Sequence, residues 1–210
     1  RALGNACSIF LQGAGGDTKA RVIADGRDDV GPAWRQGTVE DVRKAGEIAV
    51  ENLLEALAQP LKPSAPALAS AIVEMKWPLE PAPDHNAIME MTRSENQFAR
   101  QAAQLQIEHM DLWGHLPDSA QILAHGIQLA EGVRIIAIEG ELVGEMGLTI
   151  MSAFPDGTTF PLGYSNGTGL YLPNSRMLQE GGYESESVWE YGYAARLKPG
   201  TESRLLEGIA

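Results

Sequence analysis

A chain of 210 residues with 44% hydrophobic and 21% charged side chains has the composition of an ordinary globular protein, long enough to bury a core in one or at most two domains. Its formal net charge of −12 argues against a nucleic-acid backbone or an anionic membrane surface as main partner, and no run approaches the ~18 apolar residues of a transmembrane helix. Cys7 is the only cysteine, which excludes an internal disulfide and an all-cysteine metal site and leaves the compartment open.

The chain begins at Arg1, with no charged-then-apolar signal pattern and without the Ser, Thr or Cys that a self-cleaved N-terminal hydrolase exposes. It is expected to be a piece whose N-terminal partner segment precedes it. Ala6 to Gln12 is predicted as a short apolar strand ending in Gly13-Ala14-Gly15-Gly16-Asp17-Thr18. Glycines after a strand either make a plain turn or free backbone N–H groups for an anion or a developing oxyanion. There is no Walker spacing and no G-x-G-x-x-G here.

Arg21 to Gly37, with Gly26, Gly31 and Pro32, is predicted as a long loop. Thr38 caps a helix to about Ala58, with Asp41 completing a capping-box-like pair and Val39, Val42, Leu53 and Leu57 on an apolar stripe expected to pack. Pro60, Pro63 and Pro66 form a stiff connector. Leu68 to Leu79 is predicted as a strand, Glu80 to Asp84 as a proline-rich turn, and Asn86 to Leu112 as one or two helices. His85, His109 and His115 lack H-E-x-x-H spacing and are expected to be structural or exposed. Gln121 to Leu129, which holds His125, pairs across a tight turn with Val133 to Glu139, so those two strands are antiparallel and the sheet is mixed.

The organising stretch is Gly132 to Tyr183. Val133 to Ile138 is a β-branched apolar run, short for a surface helix, and is predicted as a buried strand. It stops at Glu139-Gly140-Glu141, after which Leu142 to Phe154 carries apolar residues near helical spacing. Glu141 thus stands where a strand gives way to a helix, the edge of an α/β sheet at which ligands usually bind. A carboxylate there can hold a cation or accept a proton, or can simply favour the helix dipole. A second strand, Phe160 to Ser165, runs into Asn166-Gly167-Thr168-Gly169, then Tyr171 and a short helix holding Arg176 and Glu180. Parallel neighbours would put Glu141 and the Asn166–Tyr171 loop on one side of the sheet. Further on, Trp189, Tyr191 and Tyr193 alternate as in a strand, and Pro199-Gly200 opens a last helix.

The order strand, Gly-Glu, helix, strand, Ser-Asn-Gly, Tyr171, then Gly-Gly-Tyr183-Glu184 resembles the second half of the catalytic domain of the neutral (non-lysosomal) ceramidases and their bacterial relatives. The resemblance implies that residues 1–210 are the C-terminal part of one α/β catalytic domain, a mixed β-sheet with flanking helices. It implies Glu141 and Tyr171 as ligands of Zn²⁺, Tyr183 beside the scissile amide carbonyl, and two histidine ligands from the preceding segment. It further implies a secreted or periplasmic setting and a small-molecule N-acyl or lipid-like substrate. Phe10-Leu11-Gln12-Gly13 followed by Gly16-Asp17-Thr18 is similar to the family segment in which Gly-Asp, one residue, then Ser-Pro carries the catalytic serine. Here Asp17 matches, while Lys19 takes the serine position and Ala20 that of the proline. Lys19 can bind a carboxylate or an oxyanion, or be a solvated loop charge. The expected function is zinc-dependent cleavage of an amide, with a non-catalytic ligand-binding relative as the alternative that Lys19 raises.

Overall fold

The structure, a computed structural model, describes residues 9–28, 31–60 and 62–210. They divide into two compact units, residues 18–65 and a larger one made of the chain before residue 18 together with residues 66–210. Among the described residues no helix is long and apolar enough to cross a membrane.

In the smaller unit the expected loop contains a 3₁₀ turn, Arg21–Ile23, and an antiparallel hairpin of β1 (Ala24–Asp28) and β2 (Gly31–Trp34). Gly31 and Pro32 mask the short strands in the sequence because both residues punctuate loops far more often than they occupy strands. Helix α1 (Val39–Leu57) starts where Thr38 predicts it. The Thr38 backbone N–H donates to Asp41 Oδ2 at 2.8 Å, and the Asp41 N–H donates to Thr38 Oγ1 at 3.3 Å. Arg35 forks onto both Asp41 oxygens at 2.7 and 2.6 Å, and with the Thr38 bonds it holds the carboxyl far below the usual carboxylate range. The apolar stripe of α1 does not pack as expected: no residue of the helix is buried, and Val39 and Val42 are 75% and 72% exposed.

The larger unit is built on four strands. β3 (Pro66–Pro78) is followed by α2 (His85–Met91) and α3 (Gln97–Trp113), then β4 (Ser119–Ala130) and β5 (Val133–Ile138). The chain continues through β6 (Glu141–Leu142), α4 (Gly144–Ala153), β7 (Thr158–Leu162), β8 (Tyr171–Leu172), α5 (Ser175–Glu180), α6 (Tyr183–Glu186) and α7 (Thr201–Ile209). The strand order is β3-β4-β5-β7: β4 runs antiparallel to β3 and β5, and β7 runs parallel to β5. The expected α/β class with a mixed sheet and flanking helices is what the structure shows. The β4–β5 hairpin closes with Ala130 opposite Val133 and Gly132 in the left-handed region at φ 70°.

Period-two alternation places Met75 and Trp77 of β3 with Ile122 and Ala124 of β4 in the core, where Met146 and Ile150 of α4 and Leu205 of α7 meet them. Each fully buried large side chain in this set contributes roughly 1.5–3 kcal/mol of transfer free energy. That packing fixes where β5 ends and α4 begins. The expected first strand, Ala6 to Gln12, lies partly outside the described residues; residues 9–12 have no regular structure, and pairing starts only at an isolated Gly13–Leu162 bridge.

Candidate functional site

Beyond β5 the chain turns at Gly140, and Glu141 enters β6, which pairs in parallel with β8 so that Glu141 lies opposite Tyr171. The Glu141 N–H donates to Leu170 O at 2.8 Å, and the Gly140 N–H donates to Gly167 O at 3.1 Å. These backbone bonds bring the two sequence-distant residues together. The helix begins at Gly144, a little beyond the predicted Leu142, so Glu141 sits in a two-residue strand just before it.

Three phenols converge on the Glu141 carboxylate. Tyr191 donates to Oε1 at 2.6 Å, Tyr164 donates to Oε2 at 3.1 Å, and Tyr171 lies opposite Glu141 across the β6–β8 pair, where the carboxylate helps to raise its pKa. Tyr171 also meets Tyr183 and Tyr191 edge-on, with ring centroids 5.6 and 6.2 Å apart. Such edge-to-face contacts place the positive rim of one ring on the negative face of the next and fix the angle of the central ring. Tyr164 adopts φ 54°, a left-handed conformation that costs a non-glycine residue roughly 1–2 kcal/mol. Its N–H to Gly140 O, 2.8 Å, and its hydroxyl to Glu141 hold it there.

The five tyrosines of the chain, Tyr164, Tyr171, Tyr183, Tyr191 and Tyr193, all have raised pKa values. Burial is the largest cause for each. For Tyr171, Tyr164 and Tyr191 the Glu141 carboxylate comes next, because ionising the phenol would set a phenolate against it. The side chains acting on the five phenols besides one another are all carboxylates: Asp17, Glu139, Glu141, Glu184 and Glu190.

No family model, no curated protein and no solved structure matches this chain.

The donor set fits part of a zinc site. Glu141 and Tyr171, paired across β6 and β8, would bring one carboxylate and one phenol to a common ion. A carboxylate and a deprotonated phenol would supply two of four positions, and among the described residues there is no cluster of three or more His, Cys, Asp or Glu that could hold a metal ion.

The remaining candidates fall into different places. Tyr183 opens α6 behind Gly181 and Gly182, is 57% exposed, and donates to Glu190 Oε2 at a long 3.3 Å. Asp17 is a helix cap: its Oδ1 accepts the Gly144 N–H at 2.7 Å, satisfying an orphan donor at the start of α4, where the N-cap residue Val143 has no side-chain oxygen to offer. The catalytic loop suggested for residues 13–18 is largely committed to packing. The Gly16 N–H donates to Leu142 O at 2.9 Å, and a Cβ on Gly16 would stand 2.7 Å from Glu141 O. That N–H is therefore not an oxyanion donor, and the glycine is required by the approach of the loop to β6. Asp17→Ala should destabilise the chain by about 1 kcal/mol in denaturant melts, with Asp17→Asn recovering most of it. Lys19 is exposed and belongs to the smaller unit, whereas Asp17 belongs to the larger one.

Tyr164 and Tyr191 were not singled out by spacing. The expected strand through Trp189, Tyr191 and Tyr193 is instead a 3₁₀ turn, Ser187–Tyr191, closed by Gly192 at φ 83°. A glycine between two tyrosines was the available signal, since glycine weakens a strand and terminates a helical turn.

Proposed function

We propose that this chain carries the oxygen-ligand part of a zinc-dependent amide hydrolase of the neutral ceramidase type, acting on a ceramide-like or other N-acyl substrate. The observation that carries the proposal is the parallel pairing of β6 with β8, which sets Glu141 opposite Tyr171. The histidines that complete the ligand set belong, in this proposal, to a segment preceding Arg1.

Bound zinc would supply Lewis-acid polarisation of the amide carbonyl and a water of lowered pKa. The chain's own residues do the rest. Tyr191 and Tyr164 hold the two Glu141 oxygens in fixed directions, so the carboxylate is oriented before any ligand arrives. Tyr171 would hold the metal through its oxygen after losing its proton, so uptake would release a proton and strengthen as pH rises. The Tyr183 hydroxyl is bonded to Glu190 and not to Glu141. Half exposed, with its hydroxyl on a long bond to Glu190, it can turn its O–H toward an amide oxygen that gains charge.

The test is hydrolysis of fluorogenic N-acyl amides by the protein that includes the preceding segment, before and after chelation and after restoring zinc. Turnover should vanish with chelator and return with zinc, and Tyr183→Phe should lower kcat on the order of 10²-fold while leaving metal content unchanged. Turnover indifferent to chelation would overturn the assignment. The second reading, a relative that binds a ligand without cleaving it, draws on Lys19 at the serine position of the family segment. It is distinguished by saturable binding of the same amides with no turnover in either metal state.

A further inference from the structure

We propose that a trough at the end of the sheet where β5 begins, on the face that carries α4 and α7, is a second ligand site, for a small free carboxylic acid with a short alkyl chain. Its floor is two rows that cross the strands in register, Ala71-Gly126-Ile136 and Ala69-Gln128-Arg134. Ile136 and Ile138 of β5 are buried in the core, so alternation sets Arg134, two residues earlier, on the same face. Farther along the sheet α7 lies directly on Met75, which fills the space beneath it. Alanine at 69 and 71 and glycine at 126 do not, and a hollow of about 290 Å³ results, walled by Phe154 after α4 and Ile209 at the end of α7. That size, at the lower bound of small-molecule sites, suits one short chain rather than a peptide. Glu141 lies past the opposite end of β5, so the trough is separate from the tyrosine cluster.

Charge chooses the occupant. Acidic residues outnumber basic ones 28 to 16 in the chain, yet Arg134 forms no ion pair among the described residues and no carboxylate lines the trough. Two contacts locate its guanidinium group. The central carbon lies 5.1 Å from the centroid of the Phe154 ring, a wall of the trough, and one N–H donates to Thr159 Oγ1 at a long 3.3 Å. A guanidinium carries five N–H groups in a fixed fork, so the Thr159 bond leaves most of them for another acceptor. Half-buried, the cation has lost part of its hydration without an anion to compensate it. A carboxylate matches the fork with two parallel hydrogen bonds. Gln128 stands directly opposite Arg134 across β4 and β5, on the same face, and brings an amide donor to the same row. The neighbouring row and the walls are apolar, with Ala71, Ile136, Phe154 and Ile209. An anion with a short apolar tail matches both parts of the trough. An amine is repelled by Arg134, and a bare anion leaves the apolar surface wet.

The probes are hexanoate, 1-hexanol, hexylamine and acetate, titrated into the 210-residue chain and followed by ¹H–¹³C spectra of the Ile136 and Ile209 methyl groups. Saturable shifts of both residues with hexanoate are expected, with binding at least tenfold weaker for each of the other three. Arg134→Gln should bring hexanoate to within threefold of hexanol, because the charge that separates the two is gone. Ala71→Leu, at an exposed position away from the guanidinium, fills the trough and should weaken hexanoate at least tenfold without lowering the melting temperature. Equal binding of hexanoate and any of the other probes, no saturable shift with hexanoate, or hexanoate affinity unchanged in either variant would overturn the proposal.

Discussion

Gly140→Ala is expected to destabilise the larger unit by roughly 2–4 kcal/mol, the sum of a left-handed backbone forced on an L side chain and of overpacking against main-chain atoms. Gly140 sits at φ 97°, and a Cβ there would stand 2.7 Å from Leu170 O and 3.2 Å from Leu172 Cγ. Leu170 O cannot retreat freely, since it accepts the Glu141 N–H at 2.8 Å. Gly140 O in turn accepts the Tyr164 N–H at 2.8 Å. The methyl group therefore presses on the bonds that bring Glu141, Tyr164 and Tyr171 together, and the damage should reach the site as well as the stability. Denaturant melts measure the first, and the ring-current shifts of Tyr171 and Tyr191 measure the second. Gly46→Ala is the matched control: its Cβ would meet nothing within 4 Å, and it lies inside α1, where alanine is favoured by up to about 1 kcal/mol.

The second large effect is on alkaline stability. All five tyrosines are shifted upward from their ordinary 10.0, Tyr171 and Tyr191 furthest. A pKa raised by folding means that the native state prefers the protonated phenol, so the stabilisation is complete below the unfolded value of 10.0 and is lost progressively as pH rises above it. Phenolate absorbance of the native chain should therefore stay low through pH 10 and then rise together with the loss of far-ultraviolet circular dichroism. Denaturant should move the titration back to the ordinary range. Independent ionisation of the phenols near pH 10 in the folded chain would mean that Tyr171 and Tyr191 are not gathered on Glu141. Glu141→Gln removes the carboxylate from four of the five environments, those of Tyr164, Tyr171, Tyr183 and Tyr191, and should bring the first ionisations to lower pH.

How much of this is legible in the sequence depends on the range of the interaction. The β4–β5 hairpin, the Thr38–Asp41 cap and the bend at Glu139-Gly140-Glu141 are encoded within a few residues, by alternation, by a short side-chain reach and by glycine. The pairing of Glu141 with Tyr171 follows from parallel β5 and β7, a topology the residue pattern allowed without requiring. Tyr164 was hidden because nothing local marks a tyrosine held at φ 54°; its conformation is imposed by Gly140 and Glu141 from across the sheet edge. Tyr191 was hidden because alternating aromatics mimic a strand, while the 3₁₀ turn that carries it is set by Gly192. Asp17 illustrates the reverse. Its place next to glycines suggested chemistry, yet its oxygen is engaged at the start of a helix more than a hundred residues away in the chain.

The most direct test of the central claim is zinc content in the protein that includes the preceding segment, measured by elemental analysis for the parent, Glu141→Gln and Tyr171→Phe after identical dialysis. The account predicts about one zinc per chain in the parent, a loss of at least tenfold in affinity for both variants, and retained secondary structure in each. Zinc stoichiometry and affinity unchanged in Glu141→Gln would contradict it.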